Sequence, residues 1–269
     1  MIYLKEDNIK ASVDENENAW NQENYEAWVR RFGTPKEAVE KIKKDPIKHL
    51  SVLYSKFGDV RGKKIINLMG SNGNKAVALA LLGAEVTVVD FSHGNRQYAM
   101  ELAKEAGVKI EYILEDVLKL NDDVLKGQYD IVFAEMGILH YFLDLEPFFN
   151  IAKLALKHDG IFILRDFHPV STKLISSKGS TAKTRKHKVT GDYFDTTLQE
   201  LNVAFSKYLD DKQEKQRVLI RRWNLGEIIT AAAGAGFVIK SLEEEPNLSS
   251  EVFDRGIPKT FTLSAKNSY

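Results

Sequence analysis

The sequence predicts an α/β protein built on a doubly wound, mainly parallel sheet. Apolar, β-branched runs alternate with helical patterns along most of the chain, and glycine-containing turns separate them. Several of the apolar runs end on an acidic residue. Strands that alternate with helices in this way are typical of parallel sheets with right-handed crossovers. Because helices cover both faces of such a sheet, its strands are continuous apolar runs.

The stretch from Lys63 to Asp90 is the centre of this pattern, KKIINLMGSNGNKAVALALLGAEVTVVD. It consists of a buried strand, a polar turn with two glycines, a helical pattern, and a second strand that ends on Asp90. In doubly wound sheets the ligand crosses the carboxyl ends of the strands, and an acid after the second strand binds ribose hydroxyls. We therefore expect an adenosine-containing ligand here.

The strand–helix rhythm continues beyond Asp90. The predicted strands are 109–114, 129–135, 161–166, 237–242 and 260–265, and the predicted helices are 96–106, 147–156 and 225–235. Asn224 opens the last helix with a capping-box pattern, and Gly236 ends it. Together these elements define a core of residues 59–167 and 223–269.

Residues 1–58 form a helical preface to this core, and we expect them to act as a lid. Three aromatic side chains stand there at helical spacing, Trp20, Tyr25 and Trp28. Two interpretations stay open: the rings pack on the sheet, or they close over a cationic ligand. We expect Tyr25 to contact such a ligand, because its hydroxyl can also form a hydrogen bond.

Residues 168–222 interrupt the rhythm and form an expected insertion that caps the substrate. A structureless loop of this length is improbable inside a compact domain, so short antiparallel strands are predicted around 193–197, 201–208 and 217–223. The basic stretch from Lys178 to Lys188 lacks interleaved aromatic residues. It is therefore interpreted as a solvated loop rather than a nucleic-acid site.

Composition excludes several classes of protein. The 269 residues carry 38 basic and 38 acidic side chains, so the overall charge favours neither nucleic acid nor a membrane surface. The absence of cysteine excludes disulfides and thiol chemistry. The six histidines lack the spacing of a metal site, so we expect no metal. With neither a signal peptide nor a membrane-spanning run in the sequence, we expect a cytoplasmic monomer or homodimer.

From about Val60 onwards, the chain resembles class I S-adenosylmethionine-dependent methyltransferases. The resemblance is carried by KIINLMGSNGNKA, AEVTVVDFS, ILEDVLKL, FAEMGILHYF, HDGIFILRDF, GFVIKSLEEE and FTLSA. It implies a Rossmann-like sheet of seven strands in the order 3-2-1-4-5-7-6, with the last strand antiparallel. It also implies S-adenosyl-L-methionine as cofactor and in-line transfer of its methyl group to a small-molecule acceptor.

The resemblance places the cofactor site at the strand ends. Asp90 would accept both ribose hydroxyls, and Asp116 or the amide of Val117 would face the adenine. Glu135 would hold the methionine ammonium, and the glycine turn would lie against the methionine backbone. The full expected set is Tyr25, Gly70, Ser71, Asn72, Gly73, Asp90, Phe91, Ser92, Asn95, Asp116, Val117, Glu135 and Met136.

Two histidines are the candidate general bases. His140 lies on the turn after the fourth strand of the core, and His168 lies at the start of the insertion. A base is needed only if the acceptor must lose a proton, because alignment and exclusion of water can carry most of the rate. Two alternatives stay open, an NAD-dependent oxidoreductase and a non-catalytic protein that binds an adenosine-containing ligand.

Overall fold

A computed structural model of the protein describes residues 16, 19–21, 24–177, 187–209, 216–246 and 256–268. The strands are β1 (Lys64–Leu68), β2 (Glu85–Asp90), β3 (Ile110–Leu114), β4 (Tyr129–Glu135), β5 (Leu156–Phe167), β6 (Ile175–Ser177), β7 (His187–Val189), β8 (Leu198–Asn202), β9 (Arg217–Arg221), β10 (Val238–Glu245) and β11 (Thr260–Lys266). The helices are α1 (Asn24–Phe32), α2 (Pro35–Lys44), α3 (Pro46–Leu50), α4 (Tyr54–Phe57), α5 (Asn74–Leu81), α6 (His93–Ala106), α7 (Glu146–Ala155) and α8 (Leu225–Gly234).

The central sheet has seven strands in the order β3-β2-β1-β4-β5-β11-β10. The first five strands are parallel, and β11 runs antiparallel to both of its neighbours, β5 and β10. Counting only the strands of this sheet, the order is 3-2-1-4-5-7-6, which confirms the predicted topology. The order reverses between β1 and β4, and the carboxyl ends of these two strands form the crevice where such folds bind ligands.

The N-terminal helices belong to the same hydrophobic core as the sheet. Ala27 of α1 and Ile42 of α2 are fully buried in one cluster with Ile65 of β1. Gly94 lets α1 approach α6 closely, because a Cβ atom there would lie 1.9 Å from Asn24 Oδ1. A capping box at Thr34 begins α2, and the predicted capping box at Asn224, which begins α8, is confirmed.

The insertion contains two antiparallel pairs of short strands, β6–β7 and β8–β9. Antiparallel strands were predicted here, but the pair β6–β7 was not. Two predicted strands also differ from the structure: residues 193–197 form no strand, and within 201–208 the strand β8 ends at Asn202 and is followed by a short helical turn, Ala204–Tyr208. Phe205 explains this second difference, because the turn brings its ring into the core beside Trp20 and Trp28. Most of the basic stretch, residues 178–186, lies outside the described residues.

Strand β5 begins at Leu156, five residues earlier than predicted. Asp159 adopts a left-handed backbone conformation, with φ 63°, and Gly160 fits where a Cβ atom would meet the Lys157 carbonyl oxygen at 2.9 Å. Asp159 and Gly160 therefore form an irregularity inside a strand that is longer than predicted. In the described part of the chain, no helix combines the length and apolar character that crossing a membrane requires.

Candidate active site

Two adjoining cavities lie at the carboxyl ends of β1, β2 and β4. The larger, of about 450 Å³, is lined by strand-end residues, by Trp20 and Trp28 from the N-terminal region, and by Ala204 and Lys207 from the insertion. The other, of about 380 Å³, lies along the glycine turn. Both cavities are lined by Met69, Ser71, Glu135 and Met136. The main cavity is therefore walled by all three parts of the chain.

The glycine turn places a strained backbone against these cavities. Met69 and Ser71 have φ values of 51° and 49°, a conformation that costs a non-glycine residue on the order of 1–3 kcal/mol. Gly70 is required for packing, because a Cβ atom there would lie 2.6 Å from Asn67 Oδ1. Gly73 has φ 73°, and its missing Cβ leaves room for Ala99 of α6.

Most of the turn lies against the cavities, but the expected residue Gly73 lines neither of them, because it packs against α6. Gly70 and Asn72 line the smaller cavity beside Met69 and Ser71. Met136 at the end of β4 has the same left-handed conformation, with φ 60°. Strained backbone conformations therefore occur at the carboxyl ends of β1 and β4, which border the crevice.

Asp90 ends β2 with its carboxylate held by three protein donors. Oδ2 accepts a hydrogen bond from Ser71 N at 3.0 Å, and Oδ1 accepts from Ser92 N and Asn95 Nδ2, each at 3.0 Å. Burial raises the pKa of this carboxyl, and the three hydrogen bonds oppose the shift. A carboxylate has about four acceptor positions, so roughly one remains for a ligand hydroxyl.

Asn95 connects Asp90 to helix α1 and does not line the main cavity. Its side-chain oxygen accepts hydrogen bonds from Trp28 Nε1 at 2.7 Å and from Asn24 Nδ2 at 3.1 Å. Ser92 is also buried, and its hydroxyl caps the start of α6 by accepting from Asn95 N. Of the expected residues, Ser92 and Asn95 therefore position Asp90, whereas Phe91 lines the cavity itself.

Asp116 and Val117 lie together at the end of β3, and both line the main cavity. Asp116 Oδ1 also accepts a hydrogen bond from Leu118 N at 3.0 Å, which caps the short helical turn Val117–Lys119. Asp116 therefore caps a short helical turn and also forms part of the cavity wall.

Glu135 forms an ion pair that the sequence analysis missed. Its Oε2 lies 2.8 Å from Lys75 Nζ, and both side chains are mostly buried beside the smaller cavity. Lys75 is 60 positions away in the chain, and it lacks a local signal because a lysine in the first turn of a helix is ordinarily solvent-exposed. The pair presents both signs of charge to the cavity, which suits the ammonium and carboxylate of an amino acid.

Tyr25 does not line either of these cavities, which corrects the expectation. Its hydroxyl donates to Glu101 Oε2, and its ring packs against Tyr98 at 5.8 Å. The reason is helical geometry: Asn24 and Trp28, four positions apart, face Asn95, whereas Tyr25 lies about 100° around the helix from Asn24. Trp20 and Trp28 line the main cavity instead.

His140 lies in the wall of the main cavity, on the short helical turn Leu139–Tyr141. Burial lowers its pKa; the nearby Asp166 opposes this shift and Arg222 adds to it. At neutral pH the imidazole is therefore neutral, the form that accepts a proton.

Asp166 fixes the loop that carries His140. Its two oxygens accept hydrogen bonds from the backbone amides of Gly137, Ile138, Leu139 and Phe167, at 2.6–3.2 Å. This role has no local signal in the sequence, because the loop and Asp166 meet only across neighbouring strands.

His168 lies away from both cavities, which corrects its assignment as a candidate base. It is buried, and its Nδ1 accepts a hydrogen bond from Val170 N at 3.1 Å. Its Nε2 lies 2.6 Å from Glu244 Oε1 on β10, and its ring meets Phe261 of β11 edge-on. The chain turns outward at the end of β5, so His168 joins the insertion to the two antiparallel strands. Its role is structural.

Among the described residues, His, Cys, Asp and Glu side chains nowhere form a group of three that could hold a metal ion. The polar groups that converge on the cavities are two strand-end acids, a lysine–glutamate pair and backbone amides. This set, along two adjoining cavities, fits an amino-acid nucleoside such as S-adenosyl-L-methionine.

Comparison with known proteins agrees with this geometry. A family model described as a methyltransferase domain matches residues 69–164. The ubiquinone biosynthesis O-methyltransferase of Rickettsia prowazekii is 27% identical over 124 residues, which cover 44% of this chain and 48% of that protein. The chain thus spans about half the length of the curated relatives it matches.

Two solved structures share the fold. An S-adenosylmethionine-dependent methyltransferase from Mesorhizobium loti has a TM-score of 0.60 at 20% identity, covering 80% of this chain and 95% of that one. The magnesium protoporphyrin IX methyltransferase of Synechocystis, solved with bound S-adenosylhomocysteine, has a TM-score of 0.57 at 15% identity. That likeness covers 94% of this chain and 99% of the other.

The sheet order and the strand-end site define a class I, Rossmann-like nucleotide-binding enzyme fold. With the methyltransferase domain that matches residues 69–164, they confirm the resemblance to class I S-adenosylmethionine-dependent methyltransferases seen in the sequence. The matched domain and the similar structures support S-adenosyl-L-methionine as the cofactor.

Proposed function

We propose that the protein transfers the methyl group of S-adenosyl-L-methionine to a small-molecule acceptor. The observation that carries the proposal is the main cavity, in which Asp90 and Asp116 share one enclosed space with His140. Trp20 and Trp28 close it from the N-terminal side, and Ala204 and Lys207 close it from the insertion. A roofed cavity of about 450 Å³ suits a small acceptor better than a polymer.

The chain's own residues supply the contacts that the cofactor needs. Asp90 would accept a ribose hydroxyl, and Asp116 with Val117 would border the adenine. Lys75 and Glu135 would hold the carboxylate and ammonium of the methionine end. When bound, the cofactor supplies an electrophilic methyl group on a sulfonium.

His140 and the aromatic walls would then serve the transfer. The enzyme must align the acceptor with the methyl group and keep water out, which Trp20, Trp28 and Tyr141 can do. A neutral His140 can take the proton of a hydroxyl acceptor as its oxygen attacks. The O-methyltransferase relatives support oxygen as the acceptor atom, although they match only about half of their length.

Residues 1–58 and 168–222 act in this proposal as the lid and the substrate cap. Trp20 joins them: its Nε1 donates to the hydroxyl of Tyr141 at 3.2 Å, and its ring meets Phe205 of the insertion edge-on at 5.3 Å. The same two segments that exclude water would therefore also select the acceptor.

Two measurements test the proposal. Isothermal titration with S-adenosylhomocysteine should show binding, and titration with NAD should show none. Incubation with S-adenosyl-L-methionine and a panel of phenols, catechols and amines should then give a product heavier by one methyl group in mass spectrometry. Absence of S-adenosylhomocysteine binding would overturn the cofactor, and binding without any methylated product would favour a non-catalytic role.

A further inference from the structure

A third, smaller cavity of about 150 Å³ opens beside the main one, beneath the insertion. His140 and Phe167 line both cavities, so the two spaces adjoin at the candidate base. Most of its other walls are apolar, formed by Leu201, Ile220, Trp223 and Ile228. Its remaining polar residues are Asp166, Thr172 and Arg222.

Arg222 directly follows strand β9 and lines the same cavity as Ile220. Val218 and Ile220 are buried on the inward face of the strand, and Arg222 follows two positions later on the same row. The guanidinium of Arg222 therefore stands at a position where the alternation of β9 predicts an apolar side chain. Arg222 is half-buried, and burial lowers its pKa, although an arginine stays protonated in any case.

The described part of the chain provides no carboxylate and no hydrogen-bond acceptor to the Arg222 guanidinium. Its neighbour Arg221 is different: that guanidinium lies 2.8 Å from Glu227 Oε1 and stacks over the Trp223 ring at 3.4 Å. Asp166 faces the same small cavity, but its two oxygens accept the four backbone amides described above. Among the described residues, the half-buried guanidinium of Arg222 is thus without an ion-pair partner.

A partly desolvated, unpaired cation costs free energy, and a ligand of opposite charge would offset this cost. The planar guanidinium matches a carboxylate, which it can bind through two parallel hydrogen bonds. Thr172 adds a hydroxyl to the same wall, and the apolar residues suit the carbon skeleton behind the charged group. A phosphate is disfavoured, because a single cation would face a dianion close to Asp166.

We propose that the methyl acceptor carries a carboxylate, which binds Arg222 in the small cavity while the acceptor atom lies beside His140. This inference rests on the proposed function, because it identifies the substrate class of the same site. It makes the substrate a small organic acid in which an apolar or aromatic spacer separates the carboxylate from the methylated group.

Matched probes test the inference by calorimetry on the full chain saturated with S-adenosylhomocysteine. The probes are benzoate and 4-hydroxybenzoate, each paired with its neutral amide. The wild type should bind the carboxylates at least tenfold more tightly than the amides. Arg222→Gln should remove this preference and leave amide binding unchanged. Arg222→Lys keeps the charge but loses the two parallel N–H donors of the guanidinium, so it should retain part of the preference for carboxylates.

Arg217→Gln is the matched control, because Arg217 lies on β9, the strand that leads to Arg222, but is exposed and paired with Glu200 at 2.8 Å. It should keep the full preference for carboxylates. Thermal melting separates binding from a structural role: 4-hydroxybenzoate should raise the Tm of the wild type and not that of Arg222→Gln. Without ligand, Arg222→Gln should melt at the same temperature or higher, since it removes an unpaired buried charge.

The outcomes distinguish this inference from the proposed function. If the wild type binds S-adenosylhomocysteine but does not distinguish carboxylates from amides, the carboxylate site is wrong and the methyltransferase proposal stands. A lower Tm of ligand-free Arg222→Gln together with an unchanged carboxylate preference would likewise show that Arg222 only supports the fold. If S-adenosylhomocysteine does not bind, the proposed function fails first.

Discussion

Asp90 shows at the scale of one residue how a strand-end acid serves both the fold and the site. Its carboxylate is buried and holds Ser71 of the glycine turn and Ser92 at the start of α6. It also lines the main cavity. The geometry is therefore compatible with both roles at once, a cap of the adjoining turns and a ligand contact.

Asp90→Asn should weaken binding of S-adenosyl-L-methionine by about 1.5–3 kcal/mol, through loss of a charge-assisted hydrogen bond. The shape of the side chain is kept, but the amide nitrogen of asparagine cannot accept from both Ser71 N and Ser92 N, so the fold of the variant must be checked. Calorimetry measures the affinity, and circular dichroism checks the fold. Asp59→Asn is the control, because Asp59 is exposed and hydrogen-bonds only to Arg61. Unchanged affinity in folded Asp90→Asn would leave the acid with a capping role alone.

His140→Gln should lower the turnover of a hydroxyl acceptor by about 10²–10⁴-fold, the usual contribution of a general base. The wild-type rate should fall only at acidic pH, with an apparent pKa below the ordinary histidine value, because burial lowers the pKa of His140. This acidic limb should be absent from the variant.

The exposed His158 is the control for His140, since it pairs only with Asp159. His158→Gln should keep both rate and pH profile. Burial of His140 also predicts a stability effect: below the ordinary pKa of histidine the unfolded chain binds a proton that folded His140 resists. The free energy of unfolding should therefore decrease as the pH falls through that range. An unchanged rate in His140→Gln would assign the residue to the cavity wall only.

At the scale of elements, helix α1 supports the site through its contacts with the start of α6. Trp28 and Asn24 donate to Asn95, which in turn donates to Asp90. Gly94 permits this approach, because any larger residue would meet Asn24. The N-terminal region is therefore connected to the acid expected to bind ribose, and not only to the roof of the cavity.

Trp28→Phe should weaken binding of S-adenosyl-L-methionine by about 0.5–1.5 kcal/mol, because it removes the indole donor to Asn95 and keeps an aromatic ring. Tyr25→Phe is the matched control on the same helix, since its hydroxyl bonds Glu101 outside the cavities. It should leave cofactor affinity unchanged in the same calorimetric titration. Equal effects of both changes would indicate a general loosening of α1.

At the scale of the whole molecule, the N-terminal helices are part of the fold as well as of the proposed lid. Trp28, Val39 and Ile42 are buried in the same cluster as the sheet. Burial of such side chains contributes roughly 1.5–3 kcal/mol each, about 5–9 kcal/mol together. A domain is stable by only about 5–15 kcal/mol, so these contacts are a large part of the total.

Deletion of residues 1–45 should therefore abolish cooperative thermal unfolding rather than produce a folded core with an open site. Circular dichroism during heating measures the transition, and binding of the dye ANS reports exposed apolar surface. If the shortened chain unfolds cooperatively and binds S-adenosylhomocysteine as tightly as the full chain, the helices are dispensable for both fold and site.

Local patterns in the sequence determined the sheet and the acids at its edge. Continuous apolar runs specify buried strands, and the alternation of strands and helices specifies parallel order. Asp90, Asp116 and Glu135 follow directly, because a residue at the end of a parallel strand must lie at the ligand-binding edge. These predictions needed no knowledge of contacts between distant residues.

Only the tertiary structure decided which side chains of the other segments reach that edge. The direction in which α1 packs turned Trp28 inward and Tyr25 outward, and the end of β5 carried His168 towards β10. Lys75 meets Glu135, and Arg222 meets the wall beside His140, across elements that are far apart in the chain. Helical and strand periods fix which residues share a face, but the packing of whole elements decides what that face meets.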